Sequence, residues 1–273
     1  MILLSAVTML FLAIFFATML AIADKKLRVE EDPMIEKVNE LLPQANCAAC
    51  DYASCHNFAE ALASGESDDP TLCRVASQEE VEEIGCLLDI EVGKTLDVKA
   101  RILCGGGDKE AKNKGIYTGV EDCVAASLLG GGQKVCGYGC LGFGTCVKSC
   151  PFDAMFMDDN GLPRIIDEKC TGCGICVGNC PKNIIELLAP KQEYYVKCSS
   201  KDKGGVSRKA CDVSCIGCQK CVKECESDAF IFEDNLAKID TEKCTNLGKC
   251  FEVCPTKCII KTNKLEKIGK GVA

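Results

Sequence analysis

Cys170-Thr171-Gly172-Cys173-Gly174-Ile175-Cys176-Val177-Gly178-Asn179-Cys180-Pro181 places four thiols within eleven residues. Thiols so close in sequence rarely bridge one another without strain, yet they chelate metal well. Further runs of this kind lie on both sides. The chain has 273 residues, 25 of them Cys, and all the Cys fall between Cys47 and Cys258. An odd count cannot pair completely, which leaves disulfides as the bland alternative. Structural zinc is a second alternative, but zinc ribbons place Cys pairs far apart. Runs of three or four are how cubane iron–sulfur clusters are ligated. Thiolate ligation also implies a reducing compartment.

The remaining composition points the same way. The 47% hydrophobic share counts the Cys, and without them it falls to roughly 38%. There is no Trp, with only 5 Tyr and 10 Phe, so the soluble part is too poor in large apolar side chains for a generous oily core. The single His excludes bis-His haem, a two-His Rieske centre, Cys2His2 zinc and most His-based catalysis. A net charge of −8 argues against nucleic acid as a partner.

The run at 170–181 belongs to an internal repeat. One copy begins at Cys104 (Cys-Gly-Gly-Gly-Asp-Lys), the other at Cys198 (Cys-Ser-Ser-Lys-Asp-Lys). Cys136, Cys140, Cys146 and Cys150 match Cys211, Cys215, Cys221 and Cys225. Cys170, Cys176 and Cys180 match Cys244, Cys250 and Cys254. The first copy carries about nineteen extra residues between Cys104 and Cys136, Cys123 among them. Asp159-Asn160-Gly161 and Asp234-Asn235 mark hairpin turns. They are flanked by Met155–Met157 with Arg164–Ile166, and by Phe230–Phe232 with Ala237–Ile239.

Each copy resembles a bacterial two-cluster ferredoxin, in which the fourth Cys of a run ligates the neighbouring cluster. That resemblance implies one cluster on Cys170, Cys173, Cys176 and Cys150. Its companion takes Cys140, Cys146 and Cys180, but Phe143 stands where the middle Cys should be, and Cys136 is the expected substitute. In the second copy one cluster takes Cys215, Cys218, Cys221 and Cys254. The companion takes Cys244, Cys250 and Cys225, with Leu247 in place of a Cys. Cys258 is the expected compensation there, and a [3Fe–4S] cluster is the alternative. An extra cluster on Cys104, Cys123, Cys198 and Cys211 is a further expectation, giving five [4Fe–4S] clusters and a sixth if those four converge.

Towards the N-terminus, Cys47, Cys50, Cys55 and Cys73 form C-x2-C-x4-C-x17-C around a helical stretch, Asn57 to Ala63. This reads as a small helical domain with one [4Fe–4S] cluster, preceded by a short amphipathic helix over 33–44. An acidic helix over 78–91 carries Cys86, expected to be a packed free thiol. Ile2 to Ala23 is apolar and long enough for a bilayer core. Ala21-Ile22-Ala23 resembles a signal-peptide cleavage site, but no Lys or Arg precedes the run. Lys25, Lys26 and Arg28 follow it, which places the bulk of the chain on the cytoplasmic side of the cell membrane.

Other motifs carry less. Gly137-x-Gly139-x2-Gly142 fits the dinucleotide fingerprint but lies inside a Cys run with no strand before it. Cys211-x3-Cys215-x2-Cys218 has the radical S-adenosylmethionine spacing, without the aromatic or the barrel-length segment that should accompany it. His56 sits beside Cys55 and reads as solvent-facing or hydrogen-bonded rather than ligating.

The fold class expected is α+β. The divisions are a transmembrane anchor (1–24), a helical [4Fe–4S] domain (25–76), a linker with extra Cys (77–133), ferredoxin module 1 (134–192), ferredoxin module 2 (193–262) and a tail (263–273). The order of elements is distinctive: an apolar N-terminus, Asn46-Cys47-x2-Cys50-x4-Cys55, Cys104-Gly-Gly, Cys136-x3-Cys140-Leu-Gly-x-Gly-x-Cys146-x3-Cys150-Pro-Phe-Asp-Ala, and Lys169-Cys170-Thr-Gly-Cys173-Gly. It resembles the B subunit of the Rnf-type membrane electron-transport complex over nearly the whole chain.

The resemblance implies an electron-transfer subunit of an ion-pumping ferredoxin:NAD oxidoreductase. Soluble ferredoxin would be its donor, and its partners would be integral membrane subunits and flavin- and NAD-binding subunits. The sequence departs from the family at Ala48, Ala49, Asp51 and Ala53, where glycines are common, and at Glu226 and Leu247. A polyferredoxin subunit of another membrane redox enzyme, a hydrogenase or formate dehydrogenase, is the first rival. A freestanding electron carrier and an iron–sulfur redox sensor are the others, the last without any DNA-binding feature in the chain.

Overall fold

A computed structural model describes residues 2–27 and 32–262. Arg28 and the tail 263–273 lie outside the described residues. Helix α1 (Ile2–Leu27) is one uninterrupted rod, predominantly apolar as far as Ala23, with Asp24, Lys25 and Lys26 in its last turn. At ~1.5 Å per residue its length suffices for a bilayer core. From Ala6 to Lys26 none of it is buried by the other described residues.

Three helices build the N-terminal domain. In α2 (Pro33–Leu41), Asp32 accepts from the Met34 N–H, and Pro33 sits where a missing N–H costs nothing. The Ser54 hydroxyl caps α3 (Cys55–Ser64), and Gly65 ends it in the left-handed region at φ 75°. Ser77 and Glu80 form a reciprocal capping box on α4 (Gln78–Leu88). Val38, Phe58, Leu62, Val81 and Ile84 are buried together with Cys73, so α4 belongs to this domain's core rather than to a linker. Helix α2 ends earlier than the expected 44, at Leu41, because Leu42 is already extended. Cys86 on α4 is exposed, which corrects the packed thiol expected there.

The rest is the repeat in three dimensions. Strand β1 (Lys99–Ile102) precedes the inserted α5 (Cys123–Leu128) and α6 (Thr145–Lys148). The hairpin β2 (Met155–Met157) and β3 (Pro163–Ile165) follows, then α7 (Ile175–Gly178) and β4 (Ile185–Leu188). The second copy runs β5 (Tyr194–Val196), α8 (Gly204–Ala210), α9 (Lys220–Lys223), the hairpin β6 (Phe230–Glu233) and β7 (Leu236–Ile239), α10 (Lys249–Glu252) and β8 (Ile259–Lys261).

Each module therefore holds two antiparallel ribbons. β1 pairs with β4 and β2 with β3 in module 1, and β5 pairs with β8 and β6 with β7 in module 2. Module 1 draws its first strand from 99–102, well before the 134 expected as its boundary. Short β1 has little strand signal of its own; its pairing with β4 from Lys99↔Leu188 to Ile102↔Ile185 makes it a strand. In the second hairpin Glu233 pairs with Leu236, and Asp234 and Asn235 have φ 48° and 61°, the type I′ geometry that suits strand twist.

Four loops share one backbone signature. Gly142-Phe143-Gly144, Gly172-Cys173-Gly174, Gly217-Cys218-Gln219 and Asn246-Leu247-Gly248 each place a residue between two left-handed ones. A four-residue helix follows each loop. Three residues beyond Cys150, Cys180, Cys225 and Cys254 the chain turns left-handed again, at Asp153, Asn183, Asp228 and Lys257. The cores between these turns are small. In module 1 Ile102, Leu162, Ile165 and Ile184 are buried with Cys104, Cys140, Cys146 and Cys176. In module 2 Val196, Leu236 and Ile259 are buried with Cys215 and Cys258.

Candidate metal centres

The thiols gather in rings. In the N-terminal domain Cys50 and Cys73 each feel the charges of neighbouring thiols: Cys50 those of Cys47 and Cys55, Cys73 those of Cys50 and Cys55. Cys55 opens α3, and Cys73 returns from a short turn at Pro70–Leu72 beyond it. The Asn46 side chain accepts from the Cys55 N–H at 2.9 Å and ties the two ends of the first Cys run.

In module 1 Cys176 is surrounded by Cys173, Cys170, Cys146 and Cys150. Cys146 stands beside Cys123 and Cys180, and Cys140 faces Cys104 and Cys146. In module 2 Cys221 stands with Cys215, Cys218 and Cys254, and Cys250 with Cys244 and Cys225. The structure thus gathers thiols from opposite runs, as crossed ligation requires.

Three placements differ from expectation. Cys123, not Cys136, comes to Cys146. Asp122 caps α5 through the Ala125 N–H and accepts from the Thr145 hydroxyl at 2.7 Å, and the Cys123 N–H donates back to Thr145 at 2.8 Å. These bonds drop Cys123 at the head of α6. Cys136 instead faces Cys104 and Cys211, because the Val135 N–H donates to the Lys112 carbonyl and the Lys112 N–H in turn donates to the Ala210 carbonyl of the other module. Cys258 goes to Cys215 and Cys254, its Sγ 3.6 Å from that of Cys254, and not to Leu247. It enters β8, whose pairing with β5 holds it on that side. Leu247 is 61% exposed beside Cys225, Cys244 and Cys250.

Burial shapes the chemistry of these rings. It pushes the thiols of Cys140, Cys176 and Cys221 up to about 12 and Cys146 to about 11, with neighbouring thiols adding to the rise. The Cys258 thiol bonds to Cys215 and Cys254, which holds those two low and Cys258 high. Rings of buried thiols become stable thiolates only around a positively charged group.

The donor set and the space fit iron–sulfur clusters. Among the described residues no three His, Cys, Asp or Glu converge tightly enough for one metal ion. Tetrahedral zinc would need its sulfurs within roughly 4 Å of each other, given Zn–S of ~2.3 Å. Cys225 with Cys244 and Cys250, Cys215 with Cys218, Cys221 and Cys254, and Cys104 with Cys136, Cys198 and Cys211 instead line three separate recesses of near-equal empty space, about 380, 370 and 360 Å3 counting the part open to solvent. The Thr171 hydroxyl, between Cys170 and Cys173, is buried with only the Cys173 thiol facing it, placed as a donor to a cluster sulfur would be. His56 is half-buried in the first turn of α3.

Comparison with known proteins agrees with this geometry. Residues 42–75 match a family model described as an Fe-S cluster, and residues 138–185 and 214–258 each match a 4Fe-4S dicluster domain. The chain is therefore an iron–sulfur protein with one helical cluster domain and two ferredoxin-type modules.

It is 40% identical over 272 residues to the B subunit of the proton-translocating ferredoxin:NAD(+) oxidoreductase complex of Clostridium ljungdahlii, covering 98% of this chain and 96% of that one. It is 40% identical to the B subunit of the ion-translocating oxidoreductase complex of Methanosarcina acetivorans, over 88% of this chain and 91% of that one. To the B subunit of the Na(+)-translocating ferredoxin:NAD(+) oxidoreductase complex of Acetobacterium woodii it is 39% identical, over 90% of this chain and 74% of that one. The chain belongs to this family of B subunits.

Proposed function

We propose that this chain is the electron-transfer subunit of a membrane-bound, ion-translocating ferredoxin:NAD oxidoreductase. The observation that carries the reading is a continuous succession of thiol rings. Cys47 of the N-terminal domain lies close enough to Cys173 for its charge to be felt there. From that ring the series runs through module 1 and module 2 to Cys244 and Cys250.

The ligand sets that suit the geometry are Cys47, Cys50, Cys55 and Cys73; Cys150, Cys170, Cys173 and Cys176; Cys123, Cys140, Cys146 and Cys180; and Cys215, Cys218, Cys221 and Cys254. Cys225, Cys244 and Cys250 offer three thiolates, a set that suits [3Fe–4S]. The clusters, when bound, supply one-electron chemistry. The polypeptide spaces them, buries them and donates hydrogen bonds to their sulfurs.

Soluble ferredoxin delivers electrons at module 2, and the N-terminal domain hands them to membrane partners that carry flavin and NAD. Helix α1 anchors the subunit, with Lys25 and Lys26 holding the rest of the chain on the cytoplasmic side.

In the intact complex, Cys47→Ala should leave the module clusters reducible by ferredoxin and abolish NAD+ reduction. EPR of the ferredoxin-reduced complex and NADH absorbance read the two halves separately. Clusters that ferredoxin cannot reduce, or an unaltered NAD+ reduction rate in the variant, would overturn the proposal.

A further inference from the structure

Besides Cys86, which is exposed, and Cys258, which joins the Cys215 ring, four thiols remain outside those sets, and none of the four falls within either dicluster match. Cys104 and Cys136 come from module 1, Cys198 and Cys211 from module 2. All four line a single recess between the modules. They are the repeat's equivalent pairs, since Cys104 corresponds to Cys198 and Cys136 to Cys211. Their surroundings repeat as well: the Cys140 N–H donates to Cys104 Sγ at 3.3 Å, and the Cys215 N–H donates to Cys198 Sγ at 3.3 Å. A site whose halves come from equivalent places in two copies sits on the local axis that relates them.

We propose that Cys104, Cys136, Cys198 and Cys211 together hold one [4Fe–4S] cluster shared between the two ferredoxin modules. The inference rests on reading the chain as an iron–sulfur protein, and three further observations point to an anionic, sulfur-rich occupant. The Ser214 hydroxyl lines the recess, is 3% exposed and has no partner; a buried donor left open calls for an acceptor. Gly106 lines it too, and a Cβ there would stand 2.8 Å from Cys211 Sγ, so the backbone has been cleared to let that sulfur in.

Behind the wall, Lys134 is 1% exposed and donates to the Gly106 carbonyl at 2.8 Å. It makes no ion pair among the described residues. A buried ammonium satisfied by one carbonyl lacks its counter-charge, and a cubane on four thiolates carries net negative charge. The recess adjoins Cys140 of one module and Cys215 of the other, so a cluster here joins the two cluster pairs into one series.

The full-length protein, purified without oxygen, tests this by iron and sulfide content and by native mass. The unaltered chain should carry six clusters; five would overturn the proposal, as would one zinc ion bound by these thiols. Cys104→Ala and Cys198→Ala should each remove about four iron per chain, and the double variant should remove the same four and no more.

A double variant that loses about eight would show two separate clusters and overturn the proposal. No loss in either single variant would do the same. Cys86→Ala, on an exposed thiol, should change nothing. If a variant loses all its iron through misfolding, the count in the unaltered chain still decides. Six clusters present but inert toward ferredoxin would overturn the proposed function and leave this site standing.

Discussion

Modules 1 and 2 repeat the same ribbons, the same left-handed loops and the same short helices, yet each has a residue other than Cys at a different loop position, and only the first has another thiol beside it to repair the gap. Phe143 and Leu247 both sit between two left-handed residues, as Cys173 and Cys218 do. The loop backbone therefore does not depend on the thiol it was shaped to present. Repair depends on whether other chain can reach the gap. In module 1 the insert carries Asp122 to Thr145 and sets Cys123 beside Cys146, while Phe143 turns to Tyr117 of the same insert, ring centroids 5.1 Å apart. In module 2 the equivalent connection holds only α8, no thiol arrives, and Leu247 faces solvent. A lost ligand can be replaced from outside the loop, provided the replacement has an anchor of its own.

The largest effect should come from undoing that repair. Cys123→Ala should cost about four iron per chain, whereas Cys258→Ala should cost none, because Cys258 joins a ring that already has Cys215, Cys218, Cys221 and Cys254. Restoring the lost ligand in the same background, as Phe143→Cys with Cys123→Ala, should return the iron, since the Gly142-Phe143-Gly144 backbone already has the conformation of its Cys-bearing counterparts. Iron and sulfide counts check all three. A Cys123→Ala protein with full iron would break the comparison between the modules.

Next in size is the converse change in module 2. Leu247→Cys should add about one iron and remove the near-isotropic [3Fe–4S] EPR signal of the oxidised protein. An unaltered protein that lacks that signal would show that this ring finds a fourth ligand after all.

These contrasts mark what can be read from residues alone. The repeat, its hairpins and the crossed thiol runs are legible because turn residues, Cys-Pro steps and ligand spacing are local. Helices α3 and α4 are legible for the same reason, with Ser54 and Gly65 closing one and Ser77 with Glu80 opening the other. The partners of Cys123, Cys136 and Cys258 are not. Cys136 lies four residues before Cys140 and looks like its neighbour, but the β-type contacts Ala111↔Cys211 and Asn113↔Lys134 carry its segment to the other module. Cys258 lies near Leu247 in sequence, but β8 turns it to Cys254. Strand β1 is invisible in the sequence because it is four residues long and its partner β4 lies more than eighty residues away.

The smallest effects should separate the two hairpins. In the first, one oxygen of Asp158 accepts from the Asn160 and Leu162 N–H groups at 3.0 and 2.9 Å, and the other from Arg164 Nε at 2.7 Å. Asn160 in turn bonds Glu110 at 2.8 Å and accepts from the Lys109 N–H at 3.0 Å, which locks the turn to the segment after Cys104. The second hairpin makes do with a tighter type I′ turn, one Asn235 side-chain bond to the Lys201 carbonyl, and a Lys201–Asp234 pair that is 50% and 65% exposed. Hydrogen bonds to a charged, partly buried acceptor contribute more than an exposed ion pair, whose attraction water and salt screen. Asp158→Ala should therefore weaken β2–β3 by about 1–2 kcal/mol and speed amide exchange there roughly tenfold. Lys201→Ala should shift β6–β7 by about 0.5 kcal/mol or less, because the backbone of Asp234-Asn235 already holds that turn. Hydrogen exchange read by mass spectrometry on the iron-loaded chain compares the two ribbons in one experiment. Equal acceleration in both would mean that turn geometry and side-chain clamps are interchangeable here, and the structural difference between the hairpins would carry no energetic weight.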